Sequence, residues 1–453
     1  MKTLLFFLAL LVAGTPHAFA QILDKREQAR VVDEILAERL DTLLPALMQR
    51  TGIEMWIVVS REYNEDPVLR TMLPATWLNA RRRTILVFYN NPGKGNYEKL
   101  AVARYSVGDS ITAAWDMDRF PDQWKALAHI VETRDPKNIA INESEDFAHA
   151  DGLVRTDYTA LVKALPERYR DRLVSAQDLA VAWLETRTER ELQIYPQLVR
   201  ITHSIIAEAF SGQVITPGIT SSDDVVWWLR QRVSDLGLDT WFHPTVSIQR
   251  NDGTSFDHLK SFIDHPAEAI IRGGDLLHVD FGITYLRLNT DVQEHAYVLR
   301  PGETEVPASI ASAFERANRL QDILVGHFAL GSTGNQILAA SLAQAKKEGI
   351  KASIYTHPLG SHGHAAGPTI GMWDKQEGVP GSGDFPMHAD TVYSIELNAA
   401  SDIPEWNKDI RIMLEQDGVF DGRKFRYLDG RQTRPHLIPR VDDLAASPVS
   451  RSR

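Results

Sequence analysis

Two aspartates in the segment from residue 274 to residue 291 are the residues whose types and spacing point most directly to chemistry. Residues 276–280 form a β-rich run that ends at Asp280 and is broken by Gly282. Residues 283–288 form a second extended run, and Asp291 follows it. A hairpin of these strands would bring both carboxylates to one place, where like charges repel unless a cation lies between them. The segment therefore predicts a metal site whose other ligands come from elsewhere in the chain.

Three residues further along the chain complete a candidate ligand set. His357 lies in the motif YTHPLG, Glu396 in YSIELN and Glu415 in IMLEQD. The carboxylates stand inside apolar, β-like runs, where burial costs free energy unless the group is paired or metal-bound. Such a set with one imidazole suits one or two divalent ions (Mn²⁺, Co²⁺ or Zn²⁺) better than a cysteine-rich structural zinc site. The alternative interpretation, that these are ordinary surface carboxylates, does not explain their apolar surroundings.

Several histidines lie close to these ligands in the sequence. His278 shares a strand face with Asp280 by period-two alternation, so it either faces the pocket or is packed in the core. His362 competes with His357 as a ligand. No role is assigned to four further histidines: His129, His149, His295 and His388.

Composition excludes some classes of partner. The chain has 453 residues, which favours two domains, and a net charge of −11. No basic stretch is long enough to reverse that charge, so we expect no nucleic-acid partner. The run Arg81-Arg82-Arg83 is interpreted as a solvated loop rather than a phosphate site.

The N-terminus has the pattern of a secretory signal peptide. Lys2 supplies the positive charge, residues 4–12 the apolar core and residues 18–20 a small-x-small cleavage site after Ala20. The alternative, a transmembrane anchor, is disfavoured because the apolar run is too short. We therefore expect a secreted or periplasmic protein that has no membrane span after cleavage. The chain has no cysteine, which excludes disulfide bonds and a lipid-modified cysteine.

Periodicity divides the chain into four segments. Residues 1–20 form the signal peptide, and residues 21–184 an α/β domain with a helix over 26–48 and strands over 55–60 and 83–89. Residues 185–440 hold all the candidate ligands, and residues 441–453 are expected to be a disordered tail. A capping box over 220–223 predicts a helix at 225–236.

The order of these features resembles a known family. A charged helix, the turn PGIT at 217–220, a further helix, the motif VDFG and the five ligands follow one another over about residues 185 to 435. This order is similar to that of peptidase family M24, the Xaa-Pro aminopeptidases, prolidases and methionine aminopeptidases. The resemblance implies a fold of the α/β (α+β) class: a C-terminal "pita-bread" domain preceded by a smaller creatinase-type α/β domain.

The resemblance also implies roles for individual residues. Two divalent metal ions would be held by five ligands: Asp280, Asp291, His357, Glu396 and Glu415. The HPLG register favours His357 over His362, and His364 matches a second histidine that lies beside the substrate. Glu396 would also transfer the proton of the attacking water. The family has a further histidine upstream, for which His258 is preferred to His265, and Arg411 lies near the position of a substrate-binding arginine.

Four departures from the family pattern concern residues beside the ligands. Pro358 replaces a glycine and Ala365 stands in place of a glutamate. Glu396 is followed by Leu-Asn rather than Pro-Gly, and Asp291 by Val-Gln rather than Thr-Arg. No departure removes a ligand, so each alters the pocket wall or the support of a ligand.

The resemblance therefore implies a dinuclear metallopeptidase that cleaves Xaa-Pro bonds at the N-termini of small peptides by means of a metal-bridging water, and the predicted signal peptide implies that it is exported. We expect a homodimer. The alternatives are a non-catalytic peptide-binding module, or another amide (C–N) hydrolase on the same fold, such as the metal-free creatine-hydrolysing relative. The sequence leaves open the native metal and the choice between dipeptides and longer peptides.

Overall fold

The computed structural model describes residues 22–91, 93, 95–253 and 269–439. Three predictions fall outside the described residues: the signal peptide over 1–20, the tail over 441–453, and the upstream site histidine, whether His258 or His265. Within the described ranges, no helix is long and apolar enough to cross a membrane.

The first part of the described chain is built on a six-stranded mixed sheet. Its strands are β1 (Met55–Arg61), β2 (Arg83–Asn91), β3 (Asn96–Ala101), β4 (Thr112–Ala113), β5 (Ile139–Ile141) and β6 (Leu173–Ser175). Their order across the sheet is β4-β3-β2-β1-β5-β6. Strand β1 is antiparallel to β2 and parallel to β5.

Helices cover this sheet on both faces, which explains its nearly continuous apolar strands. In β1, Trp56 and Val58 belong to one buried cluster, whereas Met55 and Ile57 belong to another. The helices are α1 (Lys25–Glu38), α2 (Leu44–Thr51), α3 (Pro67–Met72), α4 (Gln123–Arg134), α5 (Arg155–Ala164), α6 (Glu167–Arg170) and α7 (Gln177–Glu185). A π-helical turn, Arg39–Leu43, joins α1 to α2, so the helix predicted over 26–48 is confirmed.

The second part of the described chain is built on a nine-stranded sheet. Its strands are β7 (Thr245–Gln249), β8 (Leu276–Phe281), β11 (Val292–Val298), β12 (Lys351–Ile354), β13 (His357–Leu359), β14 (Thr391–Ile403), β15 (Lys408–Phe420), β16 (Phe425–Tyr427) and β17 (His436–Ile438). The main path is β12-β14-β15-β11-β8-β7, with β13, β16 and β17 paired beside it. The strands β9 (Thr284–Tyr285) and β10 (Leu288–Asn289) form a separate pair.

Two pairs of helices pack on this large sheet. They are α8 (Glu189–Ala209) with α9 (Ser222–Asp235), and α10 (Ala308–Gly326) with α11 (Gly334–Lys347). The apolar neighbours of Asp280, Val279 and Phe281, belong to the cluster that includes α8 and α9. The apolar neighbours of Glu396 belong to the cluster that includes α10. Since side chains alternate along a strand, both carboxylates lie on the opposite face, away from the helices.

The prediction of one continuous strand over residues 283–288 is wrong. Those residues form a tight hairpin between β9 and β10, in which Leu286 and Arg287 have φ values of 53° and 63°. Left-handed residues at both central positions define a type I′ turn, which is normally signalled by Asn-Gly rather than Leu-Arg. Asp280 therefore lies in β8, and Asp291 immediately precedes the antiparallel strand β11.

The capping box of α9 is shifted by one residue from its prediction. Ser221 is the N-cap, and its side chain and that of Asp224 exchange hydrogen bonds with each other's backbone N–H groups. A second capping box, Thr188 with Glu191, begins α8.

A buried charge network joins the two parts of the chain at this point. Glu191 accepts hydrogen bonds from Arg39 at 2.7 Å and from Arg187 at 3.1 Å, and all three side chains are buried. Arg39 also donates to the Trp183 carbonyl. Because an unpaired buried charge is costly, this network fixes how the first helices sit against the start of α8.

Candidate metal centre

The register of the large sheet places three carboxylates in one row across four strands. Glu396 of β14 is directly opposite Glu415 of β15, Glu415 is opposite Gln293 of β11, and Gln293 is opposite Asp280 of β8. Directly paired residues share a face of a sheet. Three of the five predicted ligands therefore converge on one face although they are far apart in sequence.

A second row brings in the other two predicted ligands. His357 of β13 pairs with Ser394, which pairs with Asp417. Asp417 Oδ2 accepts a hydrogen bond from the backbone N–H of Asp291 at 3.2 Å. The Ser394 hydroxyl lies 2.6 Å from Glu415 Oε1, linking the two rows.

Distances between side-chain atoms show how close the five residues are. His357 Nε2 lies 3.6 Å from Asp291 Oδ2, 3.6 Å from Glu415 Oε1 and 3.9 Å from Glu396 Oε2. Asp280, Asp291 and Glu415 each offer an oxygen atom within 4.8 Å of the others. The structure thus brings all five residues together.

The tautomer of His357 follows from its hydrogen bond. Its Nδ1 lies 2.9 Å from the carbonyl oxygen of Pro358, which can only accept, so Nδ1 carries the proton. Its Nε2 is buried, makes no hydrogen bond within the described part of the chain, and faces the carboxylates. A backbone carbonyl behind one ring nitrogen is the usual way to aim the other nitrogen at a metal.

Three of the carboxyl groups lie in surroundings that disfavour their charged form. Burial, followed by repulsion from Glu415, raises the pKa of Asp280, Asp291 and Glu396 well above the ordinary values. The Oδ1 atoms of both aspartates are buried and have no hydrogen-bond partner among the described residues. Divalent cations would supply the missing partners and keep the carboxylates ionised, so the donor set fits the metals it was predicted to hold.

These residues line a cavity of about 540 Å³. Its other walls are largely aromatic and come from distant segments, among them Phe147, His149, Trp241, Phe242, Tyr355, His364 and Trp373. A cavity with aromatic walls and a compact polar base is typical of a small-molecule or peptide site.

His364, predicted to lie beside the substrate, is in this cavity. Its ring is edge-on to Trp241, with 5.1 Å between ring centroids, and 4.7 Å from the ring of His357. Although the side chain is exposed to the cavity, the surrounding protein and then His357 lower its pKa to about 4. His364 is therefore a neutral imidazole at pH 7, able to donate one hydrogen bond.

Three other residues that the sequence analysis considered for the site lie outside the cavity lining. Arg411 donates to Asn398 at 2.8 Å, and Asn398 in turn donates to the hydroxyl of Tyr355. A direct contact between Arg411 and the substrate stays a prediction. His362 instead contacts His149, with 4.7 Å between ring centroids. His278 is buried and forms a hydrogen bond with Gln293. Of the two alternatives for this histidine, the pocket and the core, the structure supports the core.

Sequence reasoning missed residues that support the ligands. Gln293 donates to Glu396 Oε1 at 2.6 Å and lies 2.9 Å from His278 Nε2. Asp417 is fully buried, and its spacing of two from Glu415 on a strand could have indicated a shared face. His149, to which no role was assigned, lines the cavity from the other part of the chain. No sequence pattern indicates that contact, because it depends on how the two parts pack.

Comparisons with known proteins agree with this geometry. The sequence profile of metallopeptidase family M24 matches residues 195–419. No curated protein sequence matches the chain significantly.

Solved structures share the fold at low sequence identity. The X-Pro aminopeptidase from Thermotoga maritima MSB8 is 15% identical, with a TM-score of 0.60 over 86% of this chain and 99% of that chain. The Xaa-Pro dipeptidase from Bacillus anthracis is 15% identical, with a TM-score of 0.54 over 90% and 99%. The zinc-substituted E. coli aminopeptidase P, in complex with product, is 11% identical, with a TM-score of 0.56 over 90% and 96%.

At these identities the likeness establishes the fold alone. It confirms the predicted class, a pita-bread domain preceded by a smaller α/β domain. The profile match shows that residues 195–419 of this chain belong to metallopeptidase family M24.

Proposed function

We propose that this chain is a two-metal aminopeptidase that hydrolyses Xaa-Pro bonds at the N-termini of peptides. The observation that carries the proposal is the convergence of five side chains that could bind metal at the base of an aromatic cavity; several of their buried atoms have no partner among the described residues. The family match, and the printed names of structures that share the fold, support the peptidase reaction.

Charge balance favours two ions rather than one. The five proposed ligands comprise four carboxylates, from Asp280, Asp291, Glu396 and Glu415, and the imidazole of His357. Two divalent ions (Mn²⁺, Co²⁺ or Zn²⁺) would match the four negative charges of the ionised set. When bound, such ions polarise a scissile carbonyl and lower the pKa of water toward neutrality.

The chain's own residues would orient the reactants. We assign Glu396 to take the proton of the attacking water and pass it to the leaving amine. Its Oε1 is held by Gln293, and its Oε2 lies on the side of His357. The neutral His364 would donate a hydrogen bond to the oxygen that becomes negative in the transition state. His258 keeps its proposed role in stabilising the same oxygen, with His265 as the alternative.

The walls suit a substrate that contains proline. Trp241, Phe242, Tyr355 and Trp373 present aromatic side chains beside the polar base. A pyrrolidine ring is rigid and apolar and packs well on such surfaces. The aromatic walls therefore support recognition of a proline next to the scissile bond.

The molecular organisation stays a proposal too. We propose domains at 21–184 and 185–440, export after cleavage at Ala20, and a homodimer. We also propose that Arg411 binds substrate; among the described residues it donates to Asn398, which donates to Tyr355 in the cavity wall.

The test is hydrolysis of Xaa-Pro peptides by metal-stripped protein titrated with Mn²⁺, Co²⁺ or Zn²⁺. Cleavage restored by metal is the expected result, and the ratio of rates on a dipeptide and a longer peptide defines the length preference. Asp280→Asn and Glu415→Gln should abolish metal binding and turnover together, whereas Asp402→Asn, an exposed carboxylate on β14, should change neither.

Other results would select the alternatives. Binding of two metal ions without cleavage of any Xaa-Pro peptide would favour another amide hydrolase. Peptide binding without metal binding would favour the non-catalytic module. Full turnover in Asp280→Asn would overturn the two-metal scheme.

A further inference from the structure

A second cavity, of about 360 Å³, lies on the N-terminal sheet and shares no lining residue with the metal centre. We call it the arginine cavity because five arginines line it, together with Ala103, Tyr105, Trp115 and Gln123. The arginines are Arg61, Arg81, Arg82, Arg83 and Arg104. They come from the end of β1, the start of β2 and the segment after β3.

Stacking holds two of these guanidinium groups in place. Arg81 lies over Trp77 at 4.7 Å and over Tyr105 at 5.5 Å from the ring centroids. Arg83 lies over Trp124 at 5.1 Å. Because stacking restricts their rotamers, less conformational entropy is lost when they bind a ligand. Arg81 and Arg82 are exposed and precede β2, as expected for a solvated loop, whereas Arg83 is half-buried at the start of that strand.

The positive charge of the arginine cavity is only partly neutralised. Arg61 and Arg83 both contact the buried Asp157, each at 3.2 Å. The carboxylate of Glu62 accepts a hydrogen bond from the backbone N–H of Arg82. Over the described ranges, the remaining three side chains make no ion pair: Arg81, Arg82 and Arg104. Five positive groups thus face two carboxylates, in a protein whose net charge is −11.

Arg82 adds a conformational cost to this arrangement. Its φ of 53° lies in the left-handed region, which a residue with a Cβ adopts at a cost in free energy. A glycine would take this conformation more easily. Its side chain nevertheless lines the cavity beside four other arginines.

We propose that the arginine cavity binds an anion that carries two or more phosphate charges. Guanidinium groups bind phosphate oxygens in pairs of parallel hydrogen bonds, and several fixed forks in one concavity match a polyphosphate or a phosphate monoester. Tyr105 and Trp115 give the cavity apolar walls for the part of the ligand that bears the phosphate. A soluble phosphate compound and a lipid headgroup share this chemistry.

The test is calorimetric titration of the full chain with tripolyphosphate, after metal removal on a chelating resin. Binding is expected, and Arg104→Ala should weaken it about tenfold, the loss expected for one charged hydrogen-bonding group. Arg423→Ala, an exposed arginine on the turn after β15, is the matched control and should bind like the native chain. Asp280→Asn should also leave the affinity unchanged, since it affects only the metal centre.

Arg82→Gly separates binding from folding. It removes one charge and suits the left-handed backbone, so the affinity should fall about tenfold while the melting temperature does not decrease. No binding, or equal losses in Arg104→Ala and Arg423→Ala, would overturn the proposal.

A vesicle assay distinguishes the two sources of phosphate. If tripolyphosphate binds, the chain is also tested with phosphatidylcholine vesicles with and without phosphatidic acid. Cosedimentation only with the vesicles that contain phosphatidic acid would then identify the ligand as a lipid headgroup. Tripolyphosphate binding without cosedimentation would assign a soluble ligand. Vesicle binding without tripolyphosphate binding would overturn the proposal, because recognition would then lie outside the cavity.

Discussion

Gln293 is a neutral side chain placed between Glu396, a candidate metal ligand, and His278. Its amide nitrogen donates to Glu396 and its amide oxygen lies against His278 Nε2. The pKa of His278 is lowered by burial to about 4, so this histidine is neutral at pH 7 and orients the amide by donating a hydrogen bond from Nε2 to its oxygen. The orientation of one ligand carboxylate therefore rests on a chain of two neutral groups.

Replacing Gln293 by methionine keeps the volume but removes both hydrogen bonds. We expect the affinity for Mn²⁺ to fall about tenfold, as is usual when a ligand loses its supporting partner. Calorimetric titration of metal-stripped protein measures this, with the exposed Gln193→Met on α8 as the control. An unchanged affinity in a folded Gln293→Met variant would contradict this role.

At the residue scale, the sequence predicts best where a motif surrounds the residue. His357 and Glu415 each stand in a recognisable run, and the structure brings them to one site. In the sequence, Gln293 stands out only because it departs from the family pattern after Asp291. Its partner His278 left two interpretations open, because period-two alternation gives a face but not what covers that face.

At the scale of elements, the strands that carry the ligands were predictable and one turn was not. The apolar runs around Asp280 and Glu396 predict β8 and β14 because both faces of these strands are covered. The hairpin at Leu286–Arg287 was missed, since its turn lacks the residues that normally adopt positive φ. Tertiary contacts decide that turn: Arg287 donates to the carbonyls of Leu73 and Pro74 in the other part of the chain.

The end of α7 carries a buried carboxyl group whose titration should be visible in stability. Burial raises the pKa of Glu185 to about 8, although Arg50 and Arg187 oppose the shift. Neither carboxylate oxygen has a hydrogen-bond partner among the described residues, and His388 Nε2 lies 4.0 Å from Oε1. The folded chain thus keeps a proton that the unfolded chain loses near pH 4.5.

Because the folded pKa is the higher one, stability from this group is complete below the unfolded pKa and is lost as pH rises toward 8. Glu185→Gln does not titrate, so the variant should gain about 3 kcal/mol relative to the native chain between pH 5 and pH 8, at roughly 1.4 kcal/mol per unit of pKa. Urea unfolding at both pH values measures the difference. The exposed Glu145→Gln should show no such gain, and parallel pH profiles for Glu185→Gln and the native chain would rule the effect out.

At the scale of the whole molecule, the cavity is made by both parts of one chain. Phe147 and His149 reach it from the N-terminal part, next to a short 3₁₀ turn at Ala148–Ala150. The sequence analysis assigned no chemistry to that part of the chain, yet two of its residues lie in the cavity wall. The buried network of Arg39, Glu191 and Arg187 fixes the packing that creates this wall, and no local pattern encodes it.

His149 is the residue through which this packing should affect catalysis. Its ring contacts that of His362 in a tilted arrangement and borders the cavity, but it belongs to no group of candidate ligands among the described residues. In His149→Ala we expect KM for an Xaa-Pro peptide to rise about tenfold with little change in kcat, because a contact made equally in the ground state and the transition state is lost. The affinity for Mn²⁺ should stay the same, as should all three quantities in His129→Ala, a histidine on α4 that lies outside the cavity lining. A fall in kcat without a change in KM would instead place His149 in the chemical step, and a fall in metal affinity would mean that the N-terminal part supports the ligands as well as the substrate.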